Sequence, residues 1–361
     1  MNYIVFDLEW NQSNMGGSSK VEGFPFEIIE IGAVKLNGDG IYSGEFNELV
    51  KPQVYKEMHR ITGKLIHLTM DELKHSRSFP EVATRFEIWC GEEPFFYCTW
   101  GTLDLMELQR NRKFYHLSPL SEKPIAYLDI QKLFALTYDP ENPRKRRALQ
   151  DAVDHLKIEK HIPFHRAFSD AYYTAKVLQE LLKNNPDILS HVSYDVFYPP
   201  RSREDEVKHQ FDTYFKYISR VFPGKKELLS DREVSSSKCY LCHCNLKKKV
   251  RWFTTNNKHY LCLAKCEKHG YLKGKIRVNR TQEGEAFAVK TTKLVSESEA
   301  KAIIDRWEHI LELKNKPAHA QKEGLYKEQR KKLAAMVEIL QENGIEDNPP
   351  EDNQESNQKK V

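Results

Sequence analysis

The sequence predicts an α/β protein: a mixed sheet flanked by helices, followed by a small β-rich domain and C-terminal helices. Three observations carry this. The chain opens on an apolar strand, residues 3–10, and two further strand-like stretches follow it in a meander. Strand-like and helix-like stretches then alternate as far as about residue 185, the pattern of a sheet covered on both faces. Five of the seven cysteines crowd between Cys239 and Cys266, where a small metal-centred module replaces a large apolar core.

In Tyr3-Ile4-Val5-Phe6-Asp7-Leu8-Glu9-Trp10, strand alternation sends Val5, Asp7 and Glu9 to one face and Ile4, Phe6 and Leu8 to the other. Two carboxylates on one face of a core strand repel each other and lose hydration, a cost that a cation offsets. Hard oxygen ligands suit Mg²⁺ or Mn²⁺. A second strand is expected over Phe26–Leu36 and a third over Tyr42–Val50, joined by the turn Asn37-Gly38-Asp39-Gly40. A helix near 83–89 precedes a fourth strand, 94–100. Further helices are expected around 103–110, 130–136, 149–156 and 168–182.

The organisation that follows is a first domain over 1–185 and a linker with an amphipathic helix over 186–235. A basic cysteine module over 236–295, C-terminal helices over 296–343 and a disordered tail over 344–361 complete it. The amphipathic helix is read from Val207, Phe211, Tyr214, Phe215, Ile218 and Phe222, which fall at helical spacing. The capping pattern Ser296-Glu297-Ser298-Glu299 opens the first C-terminal helix, and a second is expected near 327–341.

Composition excludes several classes. No apolar run reaches the length of a membrane span, and no charged-then-apolar leader precedes the first strand, so a cytoplasmic protein is expected. An odd number of clustered cysteines does not suit a secreted disulfide framework, and Cys90 and Cys98 sit in apolar surroundings as packing residues. The net charge of +4 is uneven: residues 225–295 hold 17 Lys and Arg against 6 Asp and Glu. Such an asymmetry points to nucleic acid as the partner.

Two later stretches complete the acidic set. Trp100-Gly101-Thr102-Leu103-Asp104 places Asp104 where a strand gives way to a helix. His165-Arg166-Ala167-Phe168-Ser169-Asp170 puts Asp170 in a helix's first turn, where the dipole favours a carboxylate, with His165 in the lead-in loop. Phe-Asp-Leu-Glu, then Trp-Gly-x-x-Asp, then His-x-x-x-x-Asp resemble the three motifs of the DEDDh exonucleases, over roughly residues 1–185. The strand Glu-Ile-Ile-Glu-Ile-Gly-Ala-Val-Lys-Leu and Ile61-Thr62-Gly63 are similar to the ERI-like branch, including bacterial KapD-like members. The resemblance implies a ribonuclease H-like fold and stepwise 3'-to-5' removal of nucleotides.

The chemistry agrees. Two divalent ions about 3.5–4 Å apart activate a water, shield phosphoryl charge and stabilise the leaving 3'-oxygen. Asp7 is assigned as the bridging ligand, with Glu9, Asp104 and Asp170 completing the shells. His165 is assigned as the base that takes the water's proton, a task suited to an imidazole. The resemblance also implies that the backbone from Leu8 to Trp10, and Ile61, touch the terminal nucleotides. Trp10 either stacks on a base or packs in the core.

In the cysteine module, Cys239-x-x-Cys242 is one knuckle. A hairpin over 250–265 separates it from Cys262-Leu263-Ala264-Lys265-Cys266-Glu267-Lys268-His269. This is a zinc-ribbon-like pattern. Cys239, Cys242, Cys266 and His269 are the preferred ligands of one structural Zn²⁺, Cys262 is the alternative fourth, and His243 and Cys244 are spectators. Lys248 and Arg251 are candidate phosphate contacts, and Trp252 a candidate stacking residue.

The expected function is a metal-dependent 3'-to-5' exonuclease acting on single-stranded nucleic acid, RNA rather than DNA, with the zinc module holding the strand. Two other classes remain open. One is a zinc-dependent nucleic-acid-binding regulator; the other is an adaptor that docks a protein through its C-terminal helices.

Overall fold

The computed structural model describes residues 1–14, 21–254 and 256–315. β1 (Asn2–Asn11), β2 (Glu27–Leu36) and β3 (Tyr42–Lys51) form the expected antiparallel meander. Two short helices, α1 (Arg60–Ile66) and α2 (Met70–Leu73), lead to a two-residue strand β4 (Arg77–Ser78) and to α3 (Phe79–Cys90). Then come β5 (Phe95–Thr99), α4 (Leu103–Phe114), β6 (Ile125–Asp129), α5 (Ile130–Tyr138), α6 (Leu149–His155) and α7 (Ala167–Asn184). A 3₁₀ turn over Pro186–His191 and β7 (Ser193–Asp195) end the first unit.

These strands make one mixed sheet in the order β4-β3-β2-β1-β5-β6-β7. β1 lies at its centre and runs parallel to β5, which runs parallel to β6. The alternation read from the sequence holds. Ile4, Phe6 and Leu8 pack with Phe79, Phe86, Leu105 and Leu108 of α3 and α4. Tyr3 and Val5 pack with Leu133, Val153 and Leu178 of α5, α6 and α7.

α7 lies unusually close to β2. A Cβ on Gly32 would stand 2.0 Å from the backbone nitrogen of Phe168, so only glycine lets the first turn of α7 approach the strand. Gly32→Ala is therefore expected to destabilise the protein by at least about 2 kcal/mol, because backbone rather than a flexible side chain must yield. A urea midpoint left where the wild type has it would contradict this.

The second unit departs from expectation. Residues 207–222 form no amphipathic helix: β8 (Val207–Gln210) and β9 (Tyr214–Ile218) occupy them as an antiparallel pair. A tight turn between two strands throws Phe211 and Tyr214 to the same side, which mimics helical spacing. Burial on both faces, with Tyr217, Ile218 and Ser219 all covered, removes the alternation that would have marked a strand. α8 (Lys225–Ser230) and α9 (Arg232–Ser235) follow. β10 (Lys248–Thr254), β11 (His259–Cys266), β12 (Gly270–Arg280) and β13 (Ala286–Val295) then complete the unit.

The resulting antiparallel sheet has six strands in the order β10-β11-β12-β13-β9-β8, larger than a ribbon around one metal. α8 and α9 cover one face through Leu228 and Val234. α10 (Glu297–Asn315) covers part of the other through Ala300, Ile303 and Trp307, and Ser296 Oγ accepts from the Glu299 N–H at its start. The helix expected near 327–341 and the tail 344–361 lie outside the described residues. Phe211 and Tyr214 enter the apolar cluster of the first unit, and Lys113 pairs with Glu283 at 3.0 Å, so the two sheets share a packed interface. Among the described residues no helix is long and apolar enough to cross a membrane.

Candidate active site

β1 is longer than the strand beside it. Its pairing with β5 stops at Val5↔Cys98, so Phe6 to Asn11 run on past the end of β5. The edge left open is filled by the start of α4, where Asp104 Oδ1 accepts the Leu8 N–H at 3.3 Å. Gly101, at φ +110°, makes the turn from β5 into α4 in the left-handed region that other residues avoid. On the other flank Asp7 pairs with Gly32 and Glu9 with Glu30, so both acids face the first turn of α7, which holds Asp170.

Asp7, Glu9 and Asp170 each present a carboxylate oxygen within 4.8 Å of the others. Asp104 stands outside that trio, buried and fixed by Leu8, yet its charge is the strongest acting on Asp7. His165 is exposed at the rim with φ +67°, and its backbone N–H donates to Asp170 Oδ1 at 3.4 Å. All five positions read from the motifs therefore border one cleft.

Their electrostatics follow from that crowding. Burial, then the charges of Asp104, Glu9, Asp170 and Glu30, push Asp7 well above the usual carboxylate range. Burial, then Asp170 and Glu30, push Glu9 up to about 8. Burial also raises Asp104 to about 7 and Asp170 to about 6, against backbone N–H groups that lower each. Acids this close hold protons at neutral pH unless cations are bound among them. An all-oxygen, anionic donor set fits hard divalent ions.

Two supporting residues were not singled out from the sequence. Glu30 is fully buried and takes a two-pronged contact from Arg166, Nη2 to Oε1 at 2.8 Å and Nε to Oε2 at 3.0 Å. The Ala167 N–H adds a bond at 3.3 Å. This pair ties β2 to the loop carrying His165 and to the first turn of α7. The available signal was an acid inside the apolar run Ile28-Ile29-Glu30-Ile31, a buried charge in need of a partner.

Of the expected nucleotide contacts, Leu8 has a buried side chain, and its N–H is already committed to Asp104. Trp10 sits beyond a register shift in β1, half-buried against Phe26 at 5.4 Å between ring centres. Ile61 is 62% exposed on α1, one turn before Leu65 at 47%. Thr62 Oγ1 donates to the Trp10 carbonyl at 3.4 Å, which ties α1 to the end of β1.

In the cysteine module, four of the five candidate ligands meet. Cys239, Cys242, Cys266 and His269 bring their ligand atoms within 4.8 Å of one another. Sγ of Cys242 and Cys266 are 3.6 Å apart, and Nδ1 of His269 is 3.4 Å from Cys239 Sγ and 3.6 Å from Cys266 Sγ. A tetrahedron with Zn–S bonds of about 2.3 Å has edges of roughly 3.8 Å, so the four atoms have nearly zinc spacing. The Cys244 N–H leads the influences that pull the Cys242 thiol down to about 7, toward the thiolate a metal needs. Cys262 is not with them: its Sγ lies 3.6 Å from Ser237 Oγ and fills the space a Cβ on Gly274 would need.

Trp252 is not free to stack on a base. Its Nε1 donates to the Ser235 carbonyl at 2.7 Å and its ring lies against Gly274. Arg251 is exposed and Lys248 half-buried on the edge strand β10.

A central mixed sheet with acids gathered at the end of its middle strand, flanked by helices on both faces, is the ribonuclease H-like fold of exonucleases. Residues 4–178 match the family model described as Exonuclease (RNase_T). No curated protein matches the chain. Among solved structures, cell-death related nuclease 4 is similar at 18% identity and TM-score 0.43, over 51% of this chain and 64% of that one. The nuclease domain of 3'hExo, a DEDDh family member bound to rAMP, is similar at 19% identity and TM-score 0.44, over 51% of this chain and 92% of that one. E. coli exonuclease I in complex with a dA16 oligonucleotide is similar at 12% identity and TM-score 0.44, over 73% of this chain and 54% of that one. The chain thus spans less than two thirds of the first and last of these.

Proposed function

We propose that the protein is a metal-dependent exonuclease that removes nucleotides stepwise from the 3' end of a single strand, RNA in preference to DNA. The observation that carries this is the meeting of Asp7, Glu9 and Asp170 in one cleft, with Asp104 fixed beside them. Two Mg²⁺ or Mn²⁺ ions bound by these four carboxylates would supply charge shielding and an activated water.

The chain's own residues do the rest. Asp7, central to the group, would be the ligand shared by both ions. Leu8 N–H holds Asp104 in orientation, and Arg166 and Glu30 hold the α7 turn that presents Asp170. The His165 imidazole accepts the water's proton at the rim, where solvent can carry it away. Ile61, with Leu65 beside it, offers an apolar contact to the terminal base. The preference for RNA rests on the resemblance to the ERI-like branch. Cys239, Cys242, Cys266 and His269 would hold one Zn²⁺, structural because four protein ligands leave no open position. The module they organise holds the strand.

A time course on matched RNA and DNA strands, labelled at either the 3' or the 5' end, tests the reading. With Mg²⁺ or Mn²⁺ the 3' label is expected to appear at once as mononucleotide, faster from RNA, and a chelator is expected to stop it. Release beginning at the 5' end, or internal cuts, would overturn it.

A further inference from the structure

The face of the second sheet that α10 leaves open carries an unusual charge pattern. Cross-strand pairing sets Lys273 directly opposite Lys293 and places Lys275 and Lys216 on either side of Thr291. Like charges opposite each other on neighbouring strands destabilise a sheet. Glu299, 3.6 Å from Lys293, is the one carboxylate among the described residues paired with either member of the Lys273–Lys293 pair. Lys273, Lys275, Lys293 and Arg306 of α10 line an open groove of about 610 Å³, and none of the described residues that line it is acidic.

The fourth wall belongs to the first domain. Arg144 also lines the groove, from the loop between α5 and α6. That loop crosses the carboxyl ends of the parallel strands: the Arg147 carbonyl accepts Trp100 Nε1 at 3.2 Å, and Arg146 pairs with Asp129 at 3.2 Å. Trp100 opens the turn that delivers Asp104, and Asp129 ends β6. The basic groove and the acidic cleft therefore lie along the same edge of the first sheet.

We propose that this groove, rather than the edge strand bearing Lys248 and Arg251, is the track for the phosphodiester backbone of the substrate strand upstream of its 3' end. The inference rests on the exonuclease reading for what the track feeds. Charge complementarity identifies the occupant: a row of cations with no acid in the lining and one carboxylate, Glu299, at its margin suits a polyanion. Tyr214, stacked on Phe211 in the same lining, offers an aromatic edge at the domain junction.

The test is a triple variant, Lys273→Gln/Lys275→Gln/Lys293→Gln, with Lys225→Gln/Lys226→Gln/Arg232→Gln on the opposite, helix-covered face as the equal-charge control. Binding of a fluorescent 20-nucleotide single strand is read by anisotropy with Ca²⁺ in place of Mg²⁺, and retained zinc and melting temperature report folding. The groove variant is expected to bind at least ten-fold more weakly than the control and to lower the salt slope by about 2, near 0.7 per lost contact. In turnover with Mn²⁺, its kcat/KM should fall on the 20-mer and stay unchanged on a trinucleotide. Equal binding by groove variant and control would overturn the proposal. Absence of turnover in the wild type, with the binding difference intact, would instead overturn the exonuclease reading and leave the track standing.

Discussion

Replacing Asp7 by asparagine is expected to abolish phosphodiester cleavage and to leave the fold standing. The residue sits at the centre of the acidic group, within 4.8 Å of Glu9 and Asp170 and under the charge of Asp104. Asparagine keeps the shape but offers one neutral oxygen, so a bridge between two cations is lost. Loss of partners outside the ligand shell commonly costs 10–100-fold, and loss of a bridging ligand is expected to exceed roughly 1,000-fold.

Stability moves the other way. Glu9, Asp104 and Asp170 titrate near 8, 7 and 6 in the folded protein, against about 4 in an unfolded chain. The metal-free fold therefore keeps protons that the unfolded chain has released, so its stability is greatest below about pH 4 for these groups and declines as pH rises toward 8. Asp7→Asn removes one source of repulsion and makes that decline shallower. Adding Mn²⁺ at pH 8 should raise the wild-type melting temperature, by the equivalent of about 2.7 kcal/mol at 100 times the dissociation constant, and raise the variant's less. Unreduced turnover in the variant would remove Asp7 from the mechanism.

The second large effect concerns zinc. The double variant Cys239→Ser/Cys242→Ser is expected to lose its zinc and, with it, the packing of the knuckle 239–244 onto the β11–β12 turn. Structural zinc contributes roughly 10–16 kcal/mol of apparent binding free energy, comparable with or above the whole stability of a domain. Amide exchange should become fast across β10 to β12 while the first sheet stays protected. Cys262→Ser should retain one zinc per chain, because that sulfur packs near Ser237 and the Gly274 backbone, away from the ligands. Stoichiometric zinc in the double variant would refute the site.

The sequence carried the first domain's logic unevenly. The alternation of β1 that sets Asp7 and Glu9 on one face, and the places of Asp104 and Asp170 in the first turns of helices, were readable, because strand periodicity and first-turn acids leave local signatures. The Glu30–Arg166 pair was not: an acid inside an apolar run marked Glu30 as in need of a partner, but nothing local pointed to Arg166, 136 residues away. In the second domain, the spacing of Cys239, Cys242, Cys266 and His269 foretold their meeting. The strands β8 and β9 were misread because Phe211 and Tyr214 belong to a turn whose spacing imitates a helix. Trp252 looked like a stacking residue among basic neighbours, but its position on β10 directs it to the close approach at Gly274. Sequence shows which residues are basic or aromatic; only the register shows that Lys273 and Lys293 face each other on the open side.

The most direct test of the metal site is anomalous scattering from crystals of the protein soaked in manganese. Two peaks about 3.5–4 Å apart, held by Asp7 with Glu9, Asp104 and Asp170, are the predicted result. Carboxylates left apart with no manganese between them would contradict it.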